Sequence, residues 1–280
     1  MAGQHDISAV KRQAIWRLTS EGETMSAVAE RTGVSEQTLR QWIASAGLDG
    51  SDRPRQSPPS GFVALDFTPL EASMMQREAR QFYQQMATRR SVREFSDKQI
   101  PASILEHALL AAGSAPSGAN MQPWHFVVVR DAATKQQIRQ AAEVEERELY
   151  ATRSSDEWLS ALAPLGTDAN KAFLQSAPAL IAIFLKKATI DAEGQRRKTY
   201  YTSESVGIAT GILITALHRA GLATLTHTPS PMKFLSQILE RADHERPFLL
   251  LVVGYPAAGV LVPDIERLPL SEIATFIWDL

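Results

Sequence analysis

Arg89-Arg90-Ser91-Val92-Arg93 puts three guanidinium groups and a hydroxyl within five residues. Guanidiniums are planar, permanently charged forks of donors, well suited to a phosphate and poorly suited to a core. Alone, the stretch reads as a solvated basic helix start. It is followed by Ala115-Pro116-Ser117-Gly118-Ala119-Asn120 and then Gln122-Pro123-Trp124. Small residues and prolines there let backbone N–H groups approach a flat ligand closely. An anion clamp joined to a backbone-lined turn points to a phosphorylated cofactor.

Those residues need a scaffold, and the hydrophobic pattern supplies one. Trp124–Val129, 179–185, 223–226 and 248–254 read as strands, the first two as buried runs. Helical spacing covers 71–88, 101–112, 133–150 and 204–220; the last is rich in small residues suited to close packing. Residues 151–168 contain Ser, Asp, Gly and Pro and read as a mobile lid or loop. Interleaved strands and helices predict an α+β sandwich.

Residues 47–62 are rich in Gly, Pro and Ser and form a predicted flexible linker. It separates a small unit, 1–46, from a large domain, 63–280. The small unit reads as three short helices, with Gly33 at a turn, Ser35 as an N-cap, and Leu39, Trp42 and Ile43 on one face. Ala29, Gly33, Leu39 and Trp42 have helix-turn-helix spacing. The unit resembles the DNA-binding segments of transposases and some repressors. Five Lys/Arg (Lys11, Arg12, Arg17, Arg31, Arg40) against five Asp/Glu (Asp6, Glu21, Glu23, Glu30, Glu36) give it little attraction for phosphate. Weak, salt-sensitive DNA binding through residues 1–46 is the most it should achieve.

Over about residues 77–275 the chain resembles the FMN-dependent nitroreductase superfamily, and within it the iodotyrosine deiodinase branch. Besides the motifs above, the carriers are Ser176-Ala177-Pro178, Tyr200-Tyr201 with Glu204, Thr226 with Thr228-Pro229, Val253-Gly254-Tyr255-Pro256 and Val262-Pro263-Asp264. The resemblance implies a nitroreductase-type three-layer sandwich in an intertwined homodimer with FMN at the interface. It implies that Arg89, Arg90, Ser91, Arg93 and Arg267 hold the ribityl phosphate, that Ser117 and Gly118 lie against the flavin ring, and that Thr226 and Thr228 end a strand beside it. Arg267 taken by itself is as readily a surface arginine.

The branch is set apart by a clamp for an amino-acid zwitterion, matched here by Glu146, Tyr150 and Lys171. Four-residue spacing puts Glu146 and Tyr150 on one helix face. Glu146 can accept from an ammonium, while Lys171 and the Tyr150 hydroxyl can donate to a carboxylate. Read without the family, Glu143, Glu145, Glu146 and Glu148 are a solvated acidic face and Lys171 a surface lysine. The resemblance also implies that the Ala119 N–H orients a substrate phenolate. It implies that the Thr228 hydroxyl faces flavin N5 and favours one-electron steps. Asn120, Met121 and His227 depart from the usual pattern and bear on substrate choice.

The remaining composition narrows the field. The 280 residues are 44% hydrophobic and 21% charged, with a formal charge of -2 and no cysteine, which excludes thiol nucleophiles, iron–sulfur clusters and cysteine zinc sites. The six histidines lack metal-ligand spacing, so no metal is expected. There is no GxGxxG, nucleophile elbow or Walker loop. With no long apolar run and a polar start, the expectation is a cytoplasmic protein with no membrane segment. The activity the resemblance implies is reductive dehalogenation of a halogenated tyrosine, a small aromatic amino acid, by an FMN-dependent oxidoreductase with electrons from NAD(P)H or another reductant. A general nitro or quinone reductase and a ligand-responsive DNA-binding regulator are the alternatives.

Overall fold

Ala179-Leu180-Ile181-Ala182-Ile183-Phe184-Leu185 presents apolar side chains in both directions, and in the computed structural model it is sealed on both faces. Residues 10–11, 14–15, 17–18, 23–45, 61–63, 65–153, 155–190 and 193–277 are described, in two units, Met1–Leu70 and Glu71–Leu280. The predicted linker lies outside the described residues except at Gly61 and Phe62.

In the small unit, α1 (Met25–Thr32) and α2 (Glu36–Ser45) are joined through Gly33, which sits at φ 68°. That left-handed turn is cheap only without a side chain. Ser35 Oγ accepts from the Thr38 N–H at 3.1 Å, as an N-cap should. Ala14, Val28 and Leu39 form a small core flanked by Ala29, Val34 and Trp42.

The large unit is built on a four-stranded antiparallel sheet of order β1-β2-β6-β5. Its strands are β1 (Trp124–Val129), β2 (Ala179–Lys186), β5 (Ala223–His227) and β6 (Glu245–Gly254). A hairpin of β3 (Ala188–Ile190) and β4 (Arg196–Lys198) continues from β2. The helices are α3 (Ala72–Ala87), α4 (Ala102–Gly113), α5 (Ala132–Glu148), α6 (Asp156–Leu162), α7 (Phe173–Ser176), α8 (Thr202–Arg219), α9 (Lys233–Ile238) and α10 (Leu270–Ile273).

Strand periodicity sorts side chains between two cores. Ile181, Ile183, Leu251 and Val253 face α4 and α8, where Leu105, Ala108, Ala209 and Leu213 are buried. Leu180, Ala182, Phe184, Leu250 and Val252 face α5, α7 and α9 through Ile138, Ala142, Leu174 and Leu235. The result is the expected three-layer α+β sandwich. At Gly254 a Cβ would stand 2.7 Å from Pro178 Cδ and 2.9 Å from Phe95 Cδ1, so the close approach there requires glycine.

The structure corrects the sequence reading in two places. Residues 151–168 are largely helical: a π-turn at Leu149–Arg153, then α6, then a 3-10 turn at Ala163–Leu165. Ser155 caps α6 by accepting from the Trp158 N–H at 3.2 Å, a local signal hidden among residues that also favour loops. Strand β6 begins before Phe248, because the register shifts between Ile183 and Phe184 and so admits Pro247.

Candidate active site

The arginine segment leaves α3 and runs beside the edge strand β5. Ser91 forms a parallel bridge with Thr224, and the Val92 N–H donates to the Thr224 carbonyl at 3.2 Å. Val92 is buried, and this anchor leaves Arg89, Arg90, Ser91 and Arg93 to line a cavity of about 150 Å³. Pro263, Ile265 and Arg267 close it from a loop that follows β6, and Arg90 Nη2 donates to the Pro263 carbonyl. Arg267 is therefore brought to the same cavity as the early cluster. Partial burial, followed by the charges of Arg267 and Arg90, lowers the pKa of Arg89. None of these guanidiniums has an ion-pair partner among the described residues. Like charges gathered around a small cavity without a carboxylate form a donor set that matches phosphate.

The candidate clamp is assembled by α5 and the chain leading into α7. Lys171 Nζ lies 3.2 Å from Glu146 Oε2 and 5.7 Å from the centre of the Tyr150 ring. It also donates to Thr167 Oγ1 at 3.2 Å and to the Asp168 carbonyl. Lys171 is 3% exposed and Glu146 6%, so for these two the solvated-face reading fails. Leu165, from the same excursion of chain, lines the arginine cavity.

Glu143 is a residue the sequence reading passed over as part of the acidic run. Its Oε1 accepts from the Lys171 backbone N–H at 2.9 Å and from Arg139 Nε at 2.8 Å. Arg139 also donates to Gln175 Oε1 at 3.0 Å and to Asn170 Oδ1 at 3.1 Å. Burial acts to raise the Glu143 pKa, but the Arg139 and Lys171 hydrogen bonds outweigh it and hold the carboxyl below its ordinary value. The i,i+3 spacing of Glu143 and Glu146 was the available signal.

Thr226 and Thr228 are exposed at the end of β5 and flank buried His227. The His227 ring stands edge-on to Phe173 at 5.5 Å, and its Nε2 is buried without a hydrogen-bond partner among the described residues. Burial, reinforced by the charge of Lys171, lowers its pKa to about 3. The imidazole is neutral and lies against the segment that bears Lys171.

Ser117, Gly118 and Ala119 are not brought to this cluster. They precede β1, at the edge of the sheet opposite β5. Ser117 Oγ accepts from the Gln122 N–H at 2.9 Å and closes the turn. Ala119, Asn120 and Gln122 all have positive φ, 50°, 52° and 47°, a conformation that Asn tolerates but that costs about 1–2 kcal/mol each at Ala119 and Gln122. A Cβ on Gly118 would meet Tyr201 Cδ2 at 2.8 Å. Backbone strain and a close approach without a side chain mark this turn as shaped for something other than stability.

Residues 86–255 match the sequence profile of the Nitroreductase family. An iodotyrosine deiodinase of Haliscomenobacter hydrossis is 51% identical over 213 residues, covering 76% of this chain and 95% of that protein. Iodotyrosine deiodinase 1 of Homo sapiens is 42% identical over 202 residues, covering 71% of this chain and 69% of that one. Among solved structures, oxidized iodotyrosine deiodinase bound to FMN and 3-iodo-L-tyrosine superposes with a TM-score of 0.58 at 30% identity, covering 67% of this chain and 96% of that one. The chain belongs to the nitroreductase family, in its iodotyrosine deiodinase-like branch. Residues 8–85 separately match a Transposase profile of helix-turn-helix type. Among the described residues no group of three or more His, Cys, Asp or Glu could hold a metal ion. No helix there is long and apolar enough to cross a membrane.

Proposed function

We propose that this FMN-dependent oxidoreductase dehalogenates halotyrosines reductively, as an iodotyrosine deiodinase does, with electrons from NAD(P)H or another reductant. The observation that carries the reading is the convergence of buried Glu146 and Lys171 with Tyr150, on a stretch of chain whose Leu165 lines the unpaired arginine cavity. A non-specific nitroreductase has no use for a buried pair of opposite charges. A ligand with both an ammonium and a carboxylate does.

The residues present fit FMN. Arg89, Arg90, Ser91, Arg93 and Arg267 would hold its phosphate and ribityl chain. Ser117 and Gly118 would lie against the ring, and Thr226 and Thr228 beside it. When bound, FMN supplies the reducing equivalents that expel halide, and the protein supplies orientation and electrostatics. Thr228 would hold a hydrogen bond at flavin N5. The Ala119 N–H would orient the substrate phenolate. Glu146 would accept from the substrate ammonium, and Lys171 with the Tyr150 hydroxyl would donate to its carboxylate.

This assignment calls for a homodimer. The Ser117–Ala119 turn and the arginine cavity stand at opposite sheet edges, three strand spacings or about 14 Å apart across the sheet and farther still because they also lie toward opposite ends of the strands. A second copy that brings its turn to this cavity would complete the site. Exposed Met75, Phe82 and Tyr83 on α3, and Leu268, Ile273 and Ile277 near the C-terminus, offer the apolar surface such an interface needs. The predicted small unit, residues 1–46, presents Gln37, Arg40 and Gln41 on one exposed face. With no net charge, that unit binds DNA weakly at most.

The deciding experiment is halide release from a panel of halotyrosines by the reduced, FMN-loaded protein, run beside nitroaromatic reduction. Iodide release from iodotyrosine faster than nitro reduction is expected. Nitro reduction without halide release overturns the reading.

A further inference from the structure

We infer that a basic groove at the start of β6 docks an acidic one-electron carrier protein, which reduces the flavin. The inference rests on the deiodination reading above and names the reductant that reading leaves open.

Two residues beyond Thr228 the chain enters a second cavity, of about 750 Å³, distinct from the arginine cavity. Ser230, Met232 and Lys233 form one wall, Arg246 and Phe248 another, and Lys187 stands at the base of the β3–β4 hairpin. Arg241 is neutralised by Glu245 at 2.7 Å. Lys187, Lys233 and Arg246 have no ion-pair partner among the described residues, and Asp243 is the one further acid in the lining. The hairpin strands add cations, since Lys198 stands opposite Ala188, next to Lys187, and Arg196 opposite Ile190, with exposed Glu193 at the turn offsetting part of that charge. The whole chain carries -2, so this concentration of cations is local.

The frame under these charges is fixed by backbone hydrogen bonds. The Lys187 N–H donates to the His244 carbonyl at 2.8 Å, and the Glu245 N–H to the Ala242 carbonyl at 2.9 Å. The groove also touches the clamp's own helix extension, because Arg153 Nη1 donates to the Ser230 carbonyl at 2.8 Å and Arg153 Nη2 lies 3.0 Å from Glu145. Cations strung along a groove and hairpin, instead of converging on one point, suit the acidic face of a small protein better than one phosphate group. Electron-transfer encounters are small interfaces guided by such charge. The chain has no dinucleotide fingerprint of its own.

The stoichiometry closes. Two reduced carriers give up one electron each; with one proton these break the aryl–iodine bond, form the aryl–hydrogen bond and release iodide, leaving two oxidised carriers.

Reduced plant-type ferredoxin is the probe, compared with dithionite. The FMN-loaded full chain should bind ferredoxin in calorimetry with an affinity that falls with salt, and ferredoxin should bleach its flavin. Combined Lys187→Glu, Lys233→Glu and Arg246→Glu should slow ferredoxin-driven bleaching at least about tenfold and remove the salt dependence. Dithionite-driven bleaching and iodide release should be unchanged. Equal ferredoxin binding and bleaching by parent and variant overturn the inference. So does a salt-sensitive affinity of the groove for RNA with none for ferredoxin. If dithionite-reduced protein releases no iodide, the deiodination reading fails separately, and flavin bleaching by ferredoxin still decides the docking.

Discussion

Glu143 holds Lys171 by its main chain, at 2.9 Å, while Glu146 holds the same residue by its ammonium, at 3.2 Å. Two carboxylates three residues apart on α5 thereby fix both ends of one lysine. Arg139 ties Glu143 to the flanking Asn170 and Gln175. The candidate clamp is thus positioned by a helix and does not depend on a loose loop.

Glu146→Gln and Lys171→Ala should weaken halotyrosine binding strongly and leave a simple halophenol little changed. Each desolvated ion-paired contact is worth about 2–5 kcal/mol. Glu143→Ala should raise KM for halotyrosine with little change in kcat, and Glu143→Gln, which keeps an acceptor, should recover most of the loss. Equal losses for amino acid and phenol would count against the clamp.

Arg93→Ala should cost about 1.5–3 kcal/mol of flavin binding, roughly ten- to a hundredfold in affinity. Fluorescence titration of the apoprotein with FMN measures it. An unchanged Kd places the phosphate elsewhere.

Thr228→Ala should lower the yield of one-electron-reduced flavin during stepwise reduction with substrate bound. Dehalogenation should slow while nitro reduction is spared or increased. Unaltered spectra and rates in the variant would remove Thr228 from the mechanism.

His227 supplies a pH test. Its folded pKa is lowered from 6.5 to about 3, so between those values the unfolded chain binds a proton that the folded chain does not. Stability is retained above about pH 6.5 and declines as pH falls toward 3, by about 1.4 kcal/mol per pH unit. His227→Gln should flatten the Tm profile from about pH 6.5 to about pH 5, before the carboxylates titrate. Parallel profiles for parent and variant would show that His227 titrates normally.

The strands and the long helices were legible because burial forces regular periodicity on them: all-apolar 179–185 and the small-residue run of α8 allow few other readings. Arg89, Arg90, Ser91 and Arg93 were legible because clustered guanidiniums have few structural uses. The cavity that adds Arg267 was not readable from composition, since it depends on a loop returning from β6. Glu143 was hidden for a different reason. Its type and position match those of the solvated acids around it, and only the approach of Lys171 sets it apart. Helix α6 was masked by capping residues that serve loops equally well.

The Lys171 ammonium already has acceptors at Glu146, Thr167 and Asp168. On the clamp reading, substrate binding is therefore an exchange and not the filling of a vacancy. The incoming ammonium must take over Glu146 while the incoming carboxylate takes over Lys171. A zwitterion makes both replacements at once. A tyramine-like amine strands the lysine, and a phenylpropionate-like acid strands the glutamate, each leaving a buried charge unmatched. Singly charged analogues should consequently bind worse than an uncharged phenol, an inversion that counting attractive contacts alone would not predict.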